Sequence, residues 1–87
     1  MADNLFNRTG VRYEVACDII GSIIAHHAEV IGQEREKPQP DEGVIQEAEG
    51  HQRRLRDLRE NLDAKNAAAI EDVIATYGPE ARRLYGE

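Results

Sequence analysis

The chain has 87 residues, with 17 acidic against 11 basic side chains for a net charge of −6, one Cys, one Phe, three Tyr and no Trp. Those figures allow one small domain with a thin core and exclude an internal disulfide framework. The excess of acid argues against a mainly electrostatic grip on phosphate backbones, which needs clustered positive charge.

The first residues show no basic region followed by an apolar run. The longest apolar stretch, Ile19 to Ala25, is too short by itself to span a bilayer, so a cytoplasmic protein with no membrane partner is expected. Asn7-Arg8-Thr9 fits the glycosylation pattern, and without a secretion signal it reads as a helix-entry turn.

An N-terminal segment, residues 1–9, is expected to precede a single helical domain over 10–77. No stretch alternates in the period-two manner of a strand, which predicts an all-α fold. Helix 1 is predicted over 10–36. It carries the seam Tyr13, Cys17, Ile20, Ile24, His27, Ile31 and Glu34 at alternating spacings of four and three. A polar turn from Lys37 to Gly43 follows, in which Pro38 and Pro40 stop one helix and Asp41 caps the next. Helix 2 is predicted over 41–65 with the seam Ile45, Ala48, His51, Leu55, Leu58, Leu62 and Lys65.

Two seams joined by a short turn predict an antiparallel αα-hairpin, in which facing residue numbers add to a nearly constant value. Ile31 then faces Ala48, Ile24 faces Leu55, Ile20 faces Leu58, Cys17 faces Leu62, and His27 faces His51. Helix 3 is predicted over 66–77, stopped by Gly78-Pro79 with the glycine in the left-handed position. Residues 78–87 form a tail with room for one short helical turn.

Helix 1 has more apolar surface than one partner can cover. A second stripe, Ala16, Ile19, Ile23 and Val30, widens its apolar arc to roughly 140°. Helix 3, about 18 Å long against roughly 40 Å for helix 1, covers part of it. A second copy is expected to cover the rest, giving a homodimeric bundle with those four residues as interface. A stripe of small residues, Cys17, Gly21, Ala25, Ala28 and Gly32, suits a close intramolecular contact or, less readily, a dimer.

His27 and His51, brought into one layer by the register, are candidate metal ligands. No HExxH, CxxC or paired ExxH accompanies them, and His26 with Glu29 offers a second pair on the flank only. A polar layer that fixes helix register and weakens when protonated is the favoured interpretation, and no metal or cofactor is expected.

Arg53, Arg54, Arg56 and Arg59 form a candidate nucleic-acid or partner face. Acids interleave at i, i+4 spacing (Glu49–Arg53, Arg53–Asp57, Arg56–Glu60, Arg59–Asp63), which predicts a salt-bridged solvated face, with no stacking aromatic among them.

Leu58-Arg59-Glu60-Asn61-Leu62-Asp63 resembles the Leu-Arg-x-x-Ile-Asp segment near the start of the all-helical chorismate mutases. The resemblance covers six residues. In that family the catalytic Arg, Lys, Glu and Gln come later in the chain, so no function is carried over.

No nucleophile has a base partner within a recognisable motif, Cys17 falls on the seam as a buried thiol, and there is no Gly-rich phosphate loop. Asn4 to Asn7 and Tyr77 to Tyr85 are expected to cap the bundle ends or bind a partner. A small non-catalytic protein acting by protein–protein contact is the expected function. A nucleic-acid-binding hairpin and a pH- or metal-responsive bundle are the alternatives.

Overall fold

The structure is a computed structural model, and it describes residues 8–86. The residues of the 1–9 segment before Arg8, including Asn4 to Asn7, lie outside the described residues. Three helices, α1 (Arg8–Arg35), α2 (Glu42–Asn61) and α3 (Ala67–Leu84), account for nearly all of the rest.

α1 is the shared element. α2 and α3 both pack on it, and no Cα of α2 comes within 8 Å of one in α3 among the described residues. α2 returns antiparallel, pairing Ile24 with Gln52 and His27 with His51. α3 runs parallel to α1, because Arg12 meets Glu71 near one end and Ser22 meets Tyr85 near the other. The expected hairpin with a third helix is therefore present.

The turn between α1 and α2 is held by one carboxylate. Glu34, 6% exposed, accepts from the Lys37 ammonium at 2.9 Å and from the Asp41 backbone N–H at 3.0 Å. Asp41 caps α2 as its residue type predicts, accepting from Gly43 N–H at 2.8 Å and Val44 N–H at 3.4 Å.

Helix 2 ends at Asn61, four residues before its expected end at Lys65. Asp63 Oδ1 accepts from Lys65 N–H at 2.8 Å and Asn66 Oδ1 from Ala69 N–H at 3.0 Å. These two side chains compete with the helix for backbone donors and turn the chain. Lys65 thus belongs to the turn and the seam ends at Leu62, which is buried.

The expected stop at Gly78-Pro79 is corrected: α3 passes through both residues and continues to Leu84. Gly78 does not have a positive φ. That conformation is found at Gly86, with φ 77°, one residue beyond the C-cap Tyr85. Pro79 removes one backbone hydrogen bond, at a cost of up to about 3 kcal/mol in a helix interior. Packing beyond it compensates, since Ala81 and Leu84 lie on the core and the Tyr85 hydroxyl donates to the Ser22 carbonyl at 2.9 Å.

The apolar contacts form two clusters. Ala16, Ile20, Ile23, Leu55, Leu62, Ile70 and Val73 are buried where all three helices meet. Ile31, Ile45 and Ala48, with half-buried Val30, form a smaller cluster in the arm that α1 and α2 extend past the end of α3. Besides losing Lys65, the α2 seam differs from its expected form at His51. Gln52 is the residue buried between Ala48 and Leu55, donating to the Ile24 carbonyl at 3.2 Å, while His51 is half-buried beside it.

α1 also contains a window of 18 residues with mean hydropathy 1.3, long and apolar enough to cross a membrane by length and composition. Judging the helix by Ile19–Ala25 alone understates it. Of that window 22% is buried: Ala16, Ile20, Ile23 and Ile31 pack against α2 and α3, and the rest is half-buried or exposed.

Candidate functional site

The second stripe of α1 divides on folding. Ala16 and Ile23, at 0% and 1% exposure, belong to the intramolecular core, because the longer α3 reaches them. They have no surface to offer a second subunit, so half of the expected interface is corrected. Ile19 and Val30 remain half-buried.

Around Ile19 the structure shows a groove of about 480 Å³ between α1 and α3. Val15, Ile19, Ile74 and Ala81 supply its apolar walls, and Arg12, Arg82 and Tyr85 border it. Gly78 lowers the floor: a Cβ there would stand 3.8 Å from Ile19 Cδ1. Val11, 55% exposed, and Tyr85, 46% exposed, are large apolar side chains left outside the core.

Arg12 is fixed at the rim by a two-pronged ion pair with Glu71, both contacts at 2.8 Å. That pair raises the Arg12 pKa and holds the Glu71 carboxyl below its usual range, through the hydrogen bond first and charge attraction second.

The register arithmetic places His27 opposite His51, and their rings stack at 4.7 Å with an interplanar angle of 11°. His26 meets His27 edge-on at 5.6 Å and Tyr85 at 6.5 Å. Arg54 Nη2 lies 2.9 Å from His51 Nδ1. Because a guanidinium only donates, that contact requires the neutral His51 tautomer protonated on Nε2.

His27 is held below its ordinary pKa, chiefly by desolvation and then by the neighbouring His51 and His26, with Glu80 opposing. Parallel stacked rings aim their in-plane lone pairs side by side instead of at a common point. Among the described residues no three His, Cys, Asp or Glu side chains converge as a metal site.

Arg53, Arg54 and Arg56 are exposed and Arg59 is half-buried. At 100° per residue they spread over about 220° of the helix circumference, so they share no single face. Among the described residues none of the four expected i, i+4 ion pairs closes within 4 Å. Glu49 instead lies 3.7 Å from Arg35 across the hairpin. Arg59 leans over Gly21 and acts on Tyr13, whose pKa is raised mainly by its hydrogen bond with Cys17.

The small-residue stripe makes no close backbone contact at Gly32, where a Cβ would meet nothing within 4 Å, and Ala25 and Ala28 are exposed. Ser22 Oγ donates to the Asp18 carbonyl at 2.9 Å, and Cys17 is half-buried.

Sequence reasoning missed Val11 and Val15 as members of an exposed stripe. Their spacing of four with each other and with Ile19 was the available signal. No protein-family model matches the chain, and neither a curated protein nor a solved structure matches it.

Proposed function

We propose that this protein works by protein–protein contact in the cytoplasm, as a small regulatory, inhibitory or accessory subunit without catalysis. The observation that supports this reading is the face left open after the chain has packed on itself. Val11, Val15, Ile19 and Val30 on α1, with Ile74 and Ala81 on α3, remain half-buried or exposed. On so small a domain an apolar face rimmed by charge is a contact surface.

Affinity capture from the native host, run in parallel with Ile19→Asp, tests the reading. A protein retained by the wild type and lost by the variant is expected. No captured protein and no self-association would overturn it.

A second reading rests on the stacked His27–His51 pair. His27, stacked on His51 and held below its ordinary pKa by burial and its neighbours, supports a bundle that loosens when His27 is protonated. This response modulates the contact function and does not require a metal.

A further inference from the structure

We infer that His27 is a two-position switch: neutral, its ring stacks on His51 of α2, and protonated, it turns across the bundle to the Glu80 carboxylate of α3. This rests on the acid-response reading above and names where the charged ring goes. His27 stands where both other helices reach α1. With Ile23 it lines a cavity of about 230 Å³ whose remaining walls are His51, Arg54 and Leu55 of α2 and Tyr77 and Glu80 of α3. The two imidazoles stack at 4.7 Å and 11°, and the cavity beside them gives the His27 ring room to turn between staggered rotamers.

The two sides of that cavity treat charge oppositely. On α2 the stack suits a neutral ring. Arg54 Nη2 lies 2.9 Å from His51 Nδ1, so a guanidinium charge stands beside the ring on which His27 rests. Glu47, which borders His27 from another side together with His26, has a side chain 78% exposed and lies 3.9 Å from His51 Nε2. Water screens it there. On α1 itself His26 meets His27 edge-on at 5.6 Å and offers no negative charge.

On α3 the matching partner is uncommitted. Glu80 is half-buried, and among the described residues its carboxylate closes no ion pair within 4 Å. The influences on His27 run the same way: desolvation, then His51 and His26, lower its pKa, while Glu80 raises it and Arg54 lowers it. A proton on His27 is thus opposed from α2 and drawn from α3.

The exchange has a structural effect on each side of α1. Glu80 follows Pro79, which leaves α3 short of one backbone hydrogen bond. Pairing with His27 ties α1 to the part of α3 beyond that proline, where Ala81, Arg82 and Tyr85 border the apolar groove. The α1–α2 arm loses its ring stack at the same moment. Acid therefore slackens one side of α1 and tightens the other.

The test is an NMR titration of the full chain between about pH 8 and pH 5. Nuclear Overhauser contacts between the His27 and His51 rings are expected at the upper end. They are expected to vanish as His27 protonates, replaced by contacts from His27 to the Tyr77 ring and the Glu80 methylenes. Glu80→Gln is expected to lower the His27 titration midpoint by about 0.5 pH unit and to prevent the new contacts, and Glu47→Gln to leave both unchanged. Should Glu80→Gln unfold, Glu80→Asp, which shortens the reach by one methylene, is expected to give a smaller downward shift. A His27–His51 contact that persists below the midpoint, or a midpoint moved by Glu47→Gln and not by the Glu80 variants, would overturn the switch. If acid destabilisation were still flattened by His27→Leu in that case, the acid-response reading would stand without it. A His27 ring that stays neutral until the chain unfolds would overturn both.

Discussion

Glu34 and Asp41 are tied across the Pro-containing turn, the carboxylate of the first accepting from the backbone N–H of the second at 3.0 Å. Lys37 and the Asp41 N–H both hold the Glu34 carboxyl below its usual pKa. A carboxyl depressed in the folded state contributes stability above its unfolded pKa near 4.5, and that contribution disappears as pH falls through the folded value. Glu34→Gln is therefore expected to lower the midpoint of urea unfolding at pH 7, with the gap to wild type narrowing as pH falls below 4.5. A gap that stays constant through that fall would show that the charge of Glu34 is irrelevant to the turn.

Gly78 occupies a helical, buried position with space for one methyl group. Gly78→Ala is expected to stabilise the protein by about 0.5–1 kcal/mol, the difference in helix propensity. Gly78→Leu drives a branched side chain into Ile19 and is expected to destabilise it. Both are read from denaturant midpoints.

Ile70 has no exposed surface and lies in the three-helix cluster. Ile70→Ala is expected to cost about 2–5 kcal/mol. Ile45→Ala, in the two-helix arm at 3% exposure, is expected to cost less, because a thinner cluster relaxes around the lost volume. Equal losses in equilibrium unfolding would show the arm to be packed as firmly as the body.

His27 is depressed below 6.5 by desolvation and by the imidazoles around it. A base depressed in the folded state favours folding when neutral, so its contribution is complete above pH 6.5 and is lost as pH falls through the folded value. The groups facing it are His26 on α1, His51 and Arg54 on α2, and Glu80 on α3. Wild-type melting temperature is expected to fall between pH 7 and pH 5, and His27→Leu to flatten that decline. Parallel profiles for the two proteins would remove the histidine layer from the account.

The four arginines of α2 point in several directions, and retention on RNA or DNA at about 50 mM salt is not expected. Filter binding with single- and double-stranded RNA measures this. Salt-sensitive binding abolished by Arg53→Ala/Arg56→Ala would reverse the conclusion.

The fold was legible where a residue type has one strong local consequence. Asp41 after two prolines caps a helix, and two seams separated by one turn make a hairpin whose register brings His27 to His51. Gly78-Pro79 misled because local propensity there is overridden by tertiary packing: Leu84 and Tyr85 gain enough on α1 to carry the helix through a proline. Gln52 replaced His51 as the buried seam residue for a similar reason, since its amide reaches the Ile24 carbonyl and a heptad count weighs only position. The candidate face was half legible. Ile19 and Val30 were visible as apolar residues on α1, but which members of the stripe stay open depends on the reach of α3.

The sharing of α1 by two helices whose Cα atoms stay more than 8 Å apart has a kinetic consequence. α2 meets α1 after one tight turn, whereas the Arg12–Glu71 contact of α3 closes over 59 positions, so loop-closure entropy favours the hairpin forming first and α3 docking afterwards. Detachment of α3 alone would bare Ala16 and Ile23 while the α1–α2 arm keeps its own cluster. Amide protons of α3 should exchange with solvent faster than those at the centre of α2. A chain that opens this way also holds the means of trading α3 between two copies.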